Sequence, residues 1–308
     1  MEVFGLPFTQ LNTETAVALG FFDGVHTGHR AVISQTVKYA KDNGLKAVVW
    51  TFDDSPKSVF SGLDIPVITT AAEKQKLFEE MGVDILISFP FDERVQKLKC
   101  ADFTEEILNK CLKAKKVFCG FNYSFGAGGK GTPELLKKLC KDKSIETEIL
   151  APVEKACGTI SSSRIREMIE NGDVSKAREL LGRPYSIYGT VNHGKKLGRT
   201  IGFPTVNQVI ESKKVTPKDG VYLTQVCFDG NVYYGITDIG VKPTVGTHAR
   251  GAETYIFEFE DDLYGKNIKI EFLEYLRGEK KFLSVEQLKT QISCDEQKAK
   301  DILSKYED

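Results

Sequence analysis

In the stretch ALGFFDGVHTGHRAV, residues 18–32, His26 and His29 stand three positions apart in a chain that has only four histidines. Glycines at 20, 24 and 28 are interleaved with them. Two imidazoles on an approachable backbone can donate hydrogen bonds to phosphate oxygens as charge builds during phosphoryl or nucleotidyl transfer. One donor aimed at developing charge is worth roughly 10²–10³ in rate. The same rings could instead cap a helix or pack on the surface. A metal site is the poorer alternative, because no third Cys, His or acid has a spacing that completes one.

Two further stretches offer anion chemistry. In GTISSSRIREMIENGDV, Ser161, Ser162 and Ser163 precede a helical pattern, with Arg164 and Arg166 on its first turn. Hydroxyls, helix N–H groups and a guanidinium together make an anion cradle; a plain serine cap beside a solvated arginine is the simpler alternative. In NHGKKLGRTIGFPTVN, residues 192–207, Gly194, Gly198 and Gly202 accompany Lys195, Lys196 and Arg199, and Pro204-Thr205-x-Asn207 follows. Glycines let a loop close over phosphates, and the basic side chains offset their charge. If the segment is extended, Thr205 and Asn207 face the same way, and their hard oxygens suit Mg²⁺ beside phosphate. A glycine-rich hairpin with an ordinary turn is the alternative.

These residues need elements to hold them. Ala16–Leu19 reads as a buried strand, and residues 31–43 carry helical spacing that stops at Asn43-Gly44. Further strands are expected at 45–52, 82–89, 115–120 and 146–150, with helices at 71–81, 101–112 and 132–142 between them. The last two helices carry start signals at Thr104-Glu105-Glu106 and Thr132-Pro133-Glu134. Strands alternating with helices imply an α/β, Rossmann-like domain with a mostly parallel sheet covered on both faces. After LGRPYSIYG the rhythm becomes period two, broken by Asp229-Gly230, Gly240 and Tyr264-Gly265 as turns. That pattern predicts an antiparallel β-barrel or sandwich, closed by a terminal helix over SVEQLKTQISCDEQKAKDILSKY. The expected domains are residues 1–183 and 184–308.

Gly20-Phe21-Phe22-Asp23-Gly24-Val25-His26-Thr27-Gly28-His29, with the serine-arginine turn, resembles the adenylyltransferase module of bacterial bifunctional riboflavin kinase/FAD synthetases. The resemblance implies that His26 and His29 contact the transferred phosphoryl region. It places Gly20, Phe22, Asp23, Gly24, Gly28, Ser162, Ser163 and Arg166 around ATP phosphates or departing pyrophosphate, and Asn122 of CGFNYSFG against the flavin substrate. The Pro-Thr-x-Asn segment resembles the riboflavin kinase module of the same family. There Gly194, Lys195, Gly198, Gly202, Thr205 and Asn207 would bind ATP, Thr205 and Asn207 would meet Mg²⁺, and Glu253 of AETYIFEFEDDLYG would be the general base. Three departures stand out: Asp54-Ser55-Pro56 lacks the histidine often found before that proline, Ser163 replaces threonine, and Asp238 replaces a common asparagine. The implied activity is riboflavin to FMN, then FMN to FAD, with ATP as co-substrate in both steps. Activity in one module only, or a flavin-binding sensor without turnover, are the alternatives.

Bulk properties agree with a soluble enzyme. The chain has 308 residues, 41% hydrophobic and 28% charged, with a net charge of -1. That balance gives no field for nonspecific nucleic-acid binding. Seven cysteines without a Cys-x-x-Cys pair suggest reduced thiols. No signal-peptide pattern or bilayer-length apolar run is visible, so a cytoplasmic monomer or weak oligomer with small-molecule partners is expected. GAGGKG, residues 126–131, fits a dinucleotide fingerprint by composition, which would make a nicotinamide or flavin dinucleotide enzyme the runner-up. The fingerprint should follow a strand directly, yet FNYSF intervenes, so the stretch reads mainly as a mobile loop.

Overall fold

The computed structural model describes residues 1–5, 10–155, 158–193, 198, 201–241 and 250–307. Contacts divide the chain into two compact units, Met1–Ser162 and Ser163–Asp308.

The first unit is built on six parallel strands: β1 (Glu2–Phe4), β2 (Thr15–Leu19), β3 (Lys46–Phe52), β4 (Ile85–Phe89), β5 (Ala114–Gly120) and β6 (Glu146–Leu150). Their spatial order is β1-β4-β3-β2-β5-β6. Every residue of β2 is buried, as a central strand covered on both faces requires. Alternation splits the core between those faces. Val17, Leu19, Val48, Trp50, Ile85 and Ile87 pack on one side. Ala16, Ala18, Ala47 and Val49 pack on the other, with Val32, Ile33 and Ala40 of helix α1 (Thr27–Asp42). The strand order reverses between β2 and β5, and such a switch point opens a crevice at the carboxyl ends of the strands.

Other helices of this unit are α2 (Pro56–Ser61), α3 (Ala71–Glu80), α4 (Glu93–Lys97), α5 (Cys100–Asp102, running on as a π-helix over Phe103–Cys111) and α6 (Pro133–Lys141). Thr132 caps α6 by accepting from Leu135 N, with Pro133 at its first position. The start signal at Thr104 is corrected: helix begins at Cys100, and the Thr104 hydroxyl donates back to the Cys100 carbonyl at 3.0 Å. A short antiparallel pair, β7 (Glu154–Lys155) with β8 (Gly158–Thr159), completes the unit.

The second unit opens with helices α7 (Ser162–Glu170) and α8 (Val174–Leu181). The α7 range already includes Ser162 and Ser163, which the sequence pattern puts ahead of the helix. Gly182 ends α8 at φ 72°, and β9 (Tyr185–Thr190) begins the antiparallel part. Strands β10 (Thr205–Val209), β11 (Gly220–Phe228), β12 (Asn231–Val241), β13 (Arg250–Ile256) and β14 (Asn267–Arg277) join it in the order β10-β13-β12-β11-β14-β9. Asp229-Gly230 makes the β11–β12 turn, as expected. Gly240 makes no turn: it pairs with Gly251 inside β12, where a side chain would collide with the Glu279 carboxylate. Its lack of a side chain serves close approach. The sheet curls until its outer strands meet through the Asn192–Asn207 bridge, and Gln208 Nε2 donates to the Ile268 carbonyl at 3.0 Å.

Helix α9 (Val285–Glu307) packs Ala299, Ile292 and Leu303 on Val221, Leu223 and Ile236. A largely buried ion pair fixes it: Arg277 Nε and Nη2 donate to the Asp295 carboxylate at 2.9 and 2.7 Å, Gln291 Nε2 donates to it at 3.0 Å, and Asp295 is 3% exposed. Removing one partner of a fully buried pair costs about 3–5 kcal/mol because it strands the other charge; the partial exposure of Arg277 and the Gln291 donor put this pair at the low end. Arg277→Met should therefore destabilise the second unit by about 3 kcal/mol in urea unfolding, and Arg277→Met/Asp295→Leu should recover most of the loss. A single variant as stable as wild type would refute the latch.

Candidate functional site

The histidine turn lies where β2 delivers the chain to α1. Gly20 follows β2, and a short 3₁₀ turn at Asp23–Val25 leads to His26, the N-cap of α1. Phe22, Gly24 and Val25 all hold positive φ, at 54°, 80° and 39°. Gly24 suits this without a side-chain penalty; Phe22 and Val25 do not. Asp23 is 2% exposed, and its Oδ1 accepts from Ile68 N at 2.8 Å and Thr69 N at 3.2 Å. Gly24 N donates to Thr69 Oγ1 at 3.0 Å. The Asp23 carboxylate therefore holds the turn.

His26 caps α1 through Nδ1, which accepts from His29 N at 3.2 Å. Its ring proton thus sits on Nε2. The two imidazoles stack with centroids 3.5 Å apart and planes 18° from parallel, and the Phe22 ring meets His29 edge-on at 5.4 Å. A side chain at Gly28 would crowd the His26 ring, and one at Gly20 the Phe22 ring. Burial holds the His29 pKa well below its ordinary value, with further lowering from the His26 and Lys74 charges. Two full charges about 4 Å apart repel by roughly 4 kcal/mol at an effective dielectric near 20. His29 Nδ1 is buried and has no hydrogen-bond partner among the described residues. A buried ring nitrogen without a partner among the described residues is a polar atom that a guest can satisfy.

The structure brings the serine turn to this place. Ser162 Oγ donates to the Asp23 carbonyl at 2.9 Å, across 139 positions of sequence. Ser163 and Arg166 are the second and fifth residues of α7. Asn122 is exposed just beyond the end of β5, the strand beside β2 at the switch point. Residues 126–131 form a tight loop closed by paired backbone hydrogen bonds between Phe125 and Gly131. The loop starts six residues after β5, so it lacks the strand–turn–helix context of a dinucleotide fingerprint.

In the second unit, Gly194 and Lys195 lie outside the described residues. A side chain at Gly198 would strike the Phe203 carbonyl, and Gly202 has φ 87°. Thr205 and Asn207 lie on β10 with one residue between them, on one face as expected. Asn207 pairs with Glu253 on β13, and Glu253 pairs with Asp238 on β12, which sets the three in a row across the sheet. Thr205 Oγ1 donates to Glu253 Oε1 at 2.7 Å. A hydroxyl, an amide oxygen and a carboxylate so grouped are the hard donors Mg²⁺ prefers. No cluster of three or more His, Cys, Asp or Glu able to hold a metal occurs among the described residues, so any ion there would depend on oxygens from its substrate as well.

Sequence reasoning missed the support beneath the histidine turn, formed by Ile68, Thr69 and Lys74. Lys74 is 2% exposed, and its Nζ donates to the Phe52 carbonyl at 2.6 Å and the Phe21 carbonyl at 3.4 Å. One available signal was its spacing: Lys74 stands four residues before the buried Phe78, on the apolar face of α3.

Residues 8–164 match the family model for FAD synthetase, and residues 181–303 match that for riboflavin kinase. The bifunctional riboflavin kinase/FMN adenylyltransferase of Listeria monocytogenes is 37% identical, over 95% of this chain and 93% of the relative. The protein of the same name from Bacillus subtilis is 36% identical, over 93% of this chain and 92% of its own length. That from Escherichia coli K12 is 33% identical, over 92% and 91%. A solved structure described as a macrolide-efflux protein from Streptococcus pneumoniae superposes with a TM-score of 0.86 at 32% identity, covering 97% of this chain and 99% of that one. No helix among the described residues is long and apolar enough to cross a membrane.

The depressed His29 pKa has a sign in stability. Below its ordinary value of 6.5 the unfolded chain takes a proton that the folded site refuses, so stability is lost as pH falls through that region. Melting of the first unit between pH 8 and 5.5 should therefore drop more steeply for wild type than for His29→Gln. Equal slopes would show that His29 protonates freely in the folded chain.

Proposed function

This chain belongs to the bifunctional riboflavin kinase/FMN adenylyltransferase family, and from that premise we propose that it makes FAD from riboflavin in two steps. In the first, the C-terminal module transfers the γ-phosphoryl group of ATP to riboflavin, giving FMN and ADP. In the second, the FMN phosphate attacks the α-phosphorus of another ATP in the N-terminal module, giving FAD and pyrophosphate. We take the two modules to be residues 1–183 and 184–308, a boundary that differs from the contact division at Ser162/Ser163 by helices α7 and α8.

The observation that carries the kinase assignment is the Thr205–Glu253 hydrogen bond. It ties the Glu253 carboxylate to the strand that carries Thr205 and Asn207, where we take it to accept the proton of the terminal ribityl hydroxyl as that hydroxyl oxygen attacks phosphorus. A placed base contributes roughly 10²–10⁴; the rest of phosphoryl transfer is positioning and charge neutralisation. Gly194, Lys195, Gly198 and Gly202 would line the ATP loop. Thr205 and Asn207 would hold Mg²⁺, which when bound offsets the negative charge of the phosphates.

For adenylyl transfer, the stacked pair and the orphaned His29 nitrogen support His26 and His29 as donors to the reacting phosphate. Backbone N–H groups at the start of α1 add to them. Gly20, Phe22, Asp23, Gly24 and Gly28 shape the turn; Ser162, Ser163 and Arg166 would hold phosphates or pyrophosphate, and Asn122 the flavin. We take the enzyme to act in the cytoplasm as a monomer or weak oligomer.

Incubation with riboflavin, ATP and Mg²⁺, followed by chromatography of the flavins, should yield both FMN and FAD. His29→Ala should lower FAD formation by roughly 10²–10³ and leave FMN formation unchanged. Glu253→Ala should lower FMN formation by roughly 10²–10⁴, while supplied FMN is still adenylylated. A folded variant that loses both activities would contradict two separate sites, and flavin binding without ATP consumption would favour a sensor.

A further inference from the structure

The histidine turn is strained, and something must hold it. Phe22 and Val25 are non-glycine residues at φ 54° and 39°, and each such position costs about 1–3 kcal/mol. Strain of that kind persists only where the surroundings over-determine the backbone. Here the surroundings are the segment from Ile68 into the first turn of α3. It donates two N–H groups to the Asp23 carboxylate, accepts from Gly24 N through the Thr69 hydroxyl oxygen, and sets the Ile68 side chain against Gly24. Its last member is an ammonium group.

We propose that Lys74 is a positioning residue of adenylyl transfer, its ammonium clamping the Phe21 and Phe52 carbonyls so that the turn carrying His26 and His29 keeps its working shape. This rests on the reading of the first unit as an adenylyltransferase. The Phe21 carbonyl receives two donors, Lys74 Nζ at 3.4 Å and Thr51 Oγ1 at 2.9 Å. Phe21 immediately precedes the left-handed Phe22, whose ring abuts His29. The Phe21 ring in turn covers the ammonium, 4.5 Å from its centroid. The clamp therefore spans the ends of adjacent strands β2 and β3, beside the histidine turn.

An ammonium is a costly way to fill this space. Burying it demands compensation, and among the described residues no carboxylate pairs with it directly. Asp23 on the turn and Asp53 and Asp54 after β3 act on it from longer range, while burial dominates and brings its pKa down to about 8. From α1, His29 feels its charge. An apolar chain would pack there at lower cost, so the retained charge argues for a functional demand.

The test uses the full chain supplied with FMN, ATP and Mg²⁺. Lys74→Met should fold, melt at or above the wild-type temperature at pH 7, and phosphorylate riboflavin normally. Its kcat for FAD should fall on the order of 10²-fold, with KM for ATP and FMN changed far less, and Lys74→Arg should restore part of the rate. Wild-type kcat for FAD should also decline as pH rises through about 8, a limb missing from Lys74→Met. If Lys74→Met does not fold, Lys74→Arg and the wild-type limb decide. Undiminished kcat in Lys74→Met overturns the proposal. So does a loss of activity matched by a lower melting temperature and not rescued by arginine, and so does a flat wild-type profile through pH 8. Wild type that makes no FAD from FMN at any pH overturns the adenylyltransferase reading itself.

Discussion

The first unit's site depends on one buried carboxylate. Asp23 accepts two backbone N–H groups from Ile68 and Thr69, and its own carbonyl accepts the Ser162 hydroxyl. Hydrogen bonds to an ionised acceptor are about twice as strong as neutral ones, and leaving such a group unsatisfied in the interior costs more than the bonds contribute. Three distant pieces of chain must therefore arrive together. The turn between β2 and α1 cannot relax its positive φ angles without uncovering that charge. Preorganisation of the histidines follows from this constraint.

The second unit secures its residues by register. Asn207, Glu253 and Asp238 are opposite one another on β10, β13 and β12. They share the sheet face that, farther along, carries Val221, Leu223 and Ile236 against α9. A slip of one residue would send the whole set to the other face, exposing the apolar residues that α9 covers. Packing thus protects the position of Glu253. The buried threonines Thr224, Thr237 and Thr254 add a check, linking their hydroxyls at 2.8 Å across β11, β12 and β13 on the opposite face.

Local patterns carried much of this into the sequence. The run before Gly20, the Thr132-Pro133 start and the Asp229-Gly230 turn are short-range signals, and each matches its element. Thr205 and Asn207 were legible because strand periodicity needs only a few residues. Thr104 and Gly240 misled because the same residue types serve two purposes: threonine can cap a helix or bond back to its previous turn, and glycine can make a turn or admit a neighbour. The support at Ile68, Thr69 and Lys74 left no local trace of its task. It acts on residues 22 or more positions away, and nothing in AAEKQKLFEEM except its helical phase separates buried Lys74 from exposed Lys76. Strand β1, only three residues long, offers too few positions for a pattern.

The two sites also meet substrate charge differently. In the kinase module a carboxylate is already present, so the phosphates need cationic company before a hydroxyl can attack. In the adenylyltransferase module the two imidazoles are stacked, and desolvation holds His29 toward neutrality. The same low dielectric that strips the proton from an empty site strengthens every donor once an anion enters. A polyphosphate would draw a proton back to the pair, because a nearby negative charge favours the charged form. If His29 acts on the reacting phosphate as proposed, its charge would thus be greatest with a polyphosphate seated, which would confine the electrostatic stabilisation to the bound state.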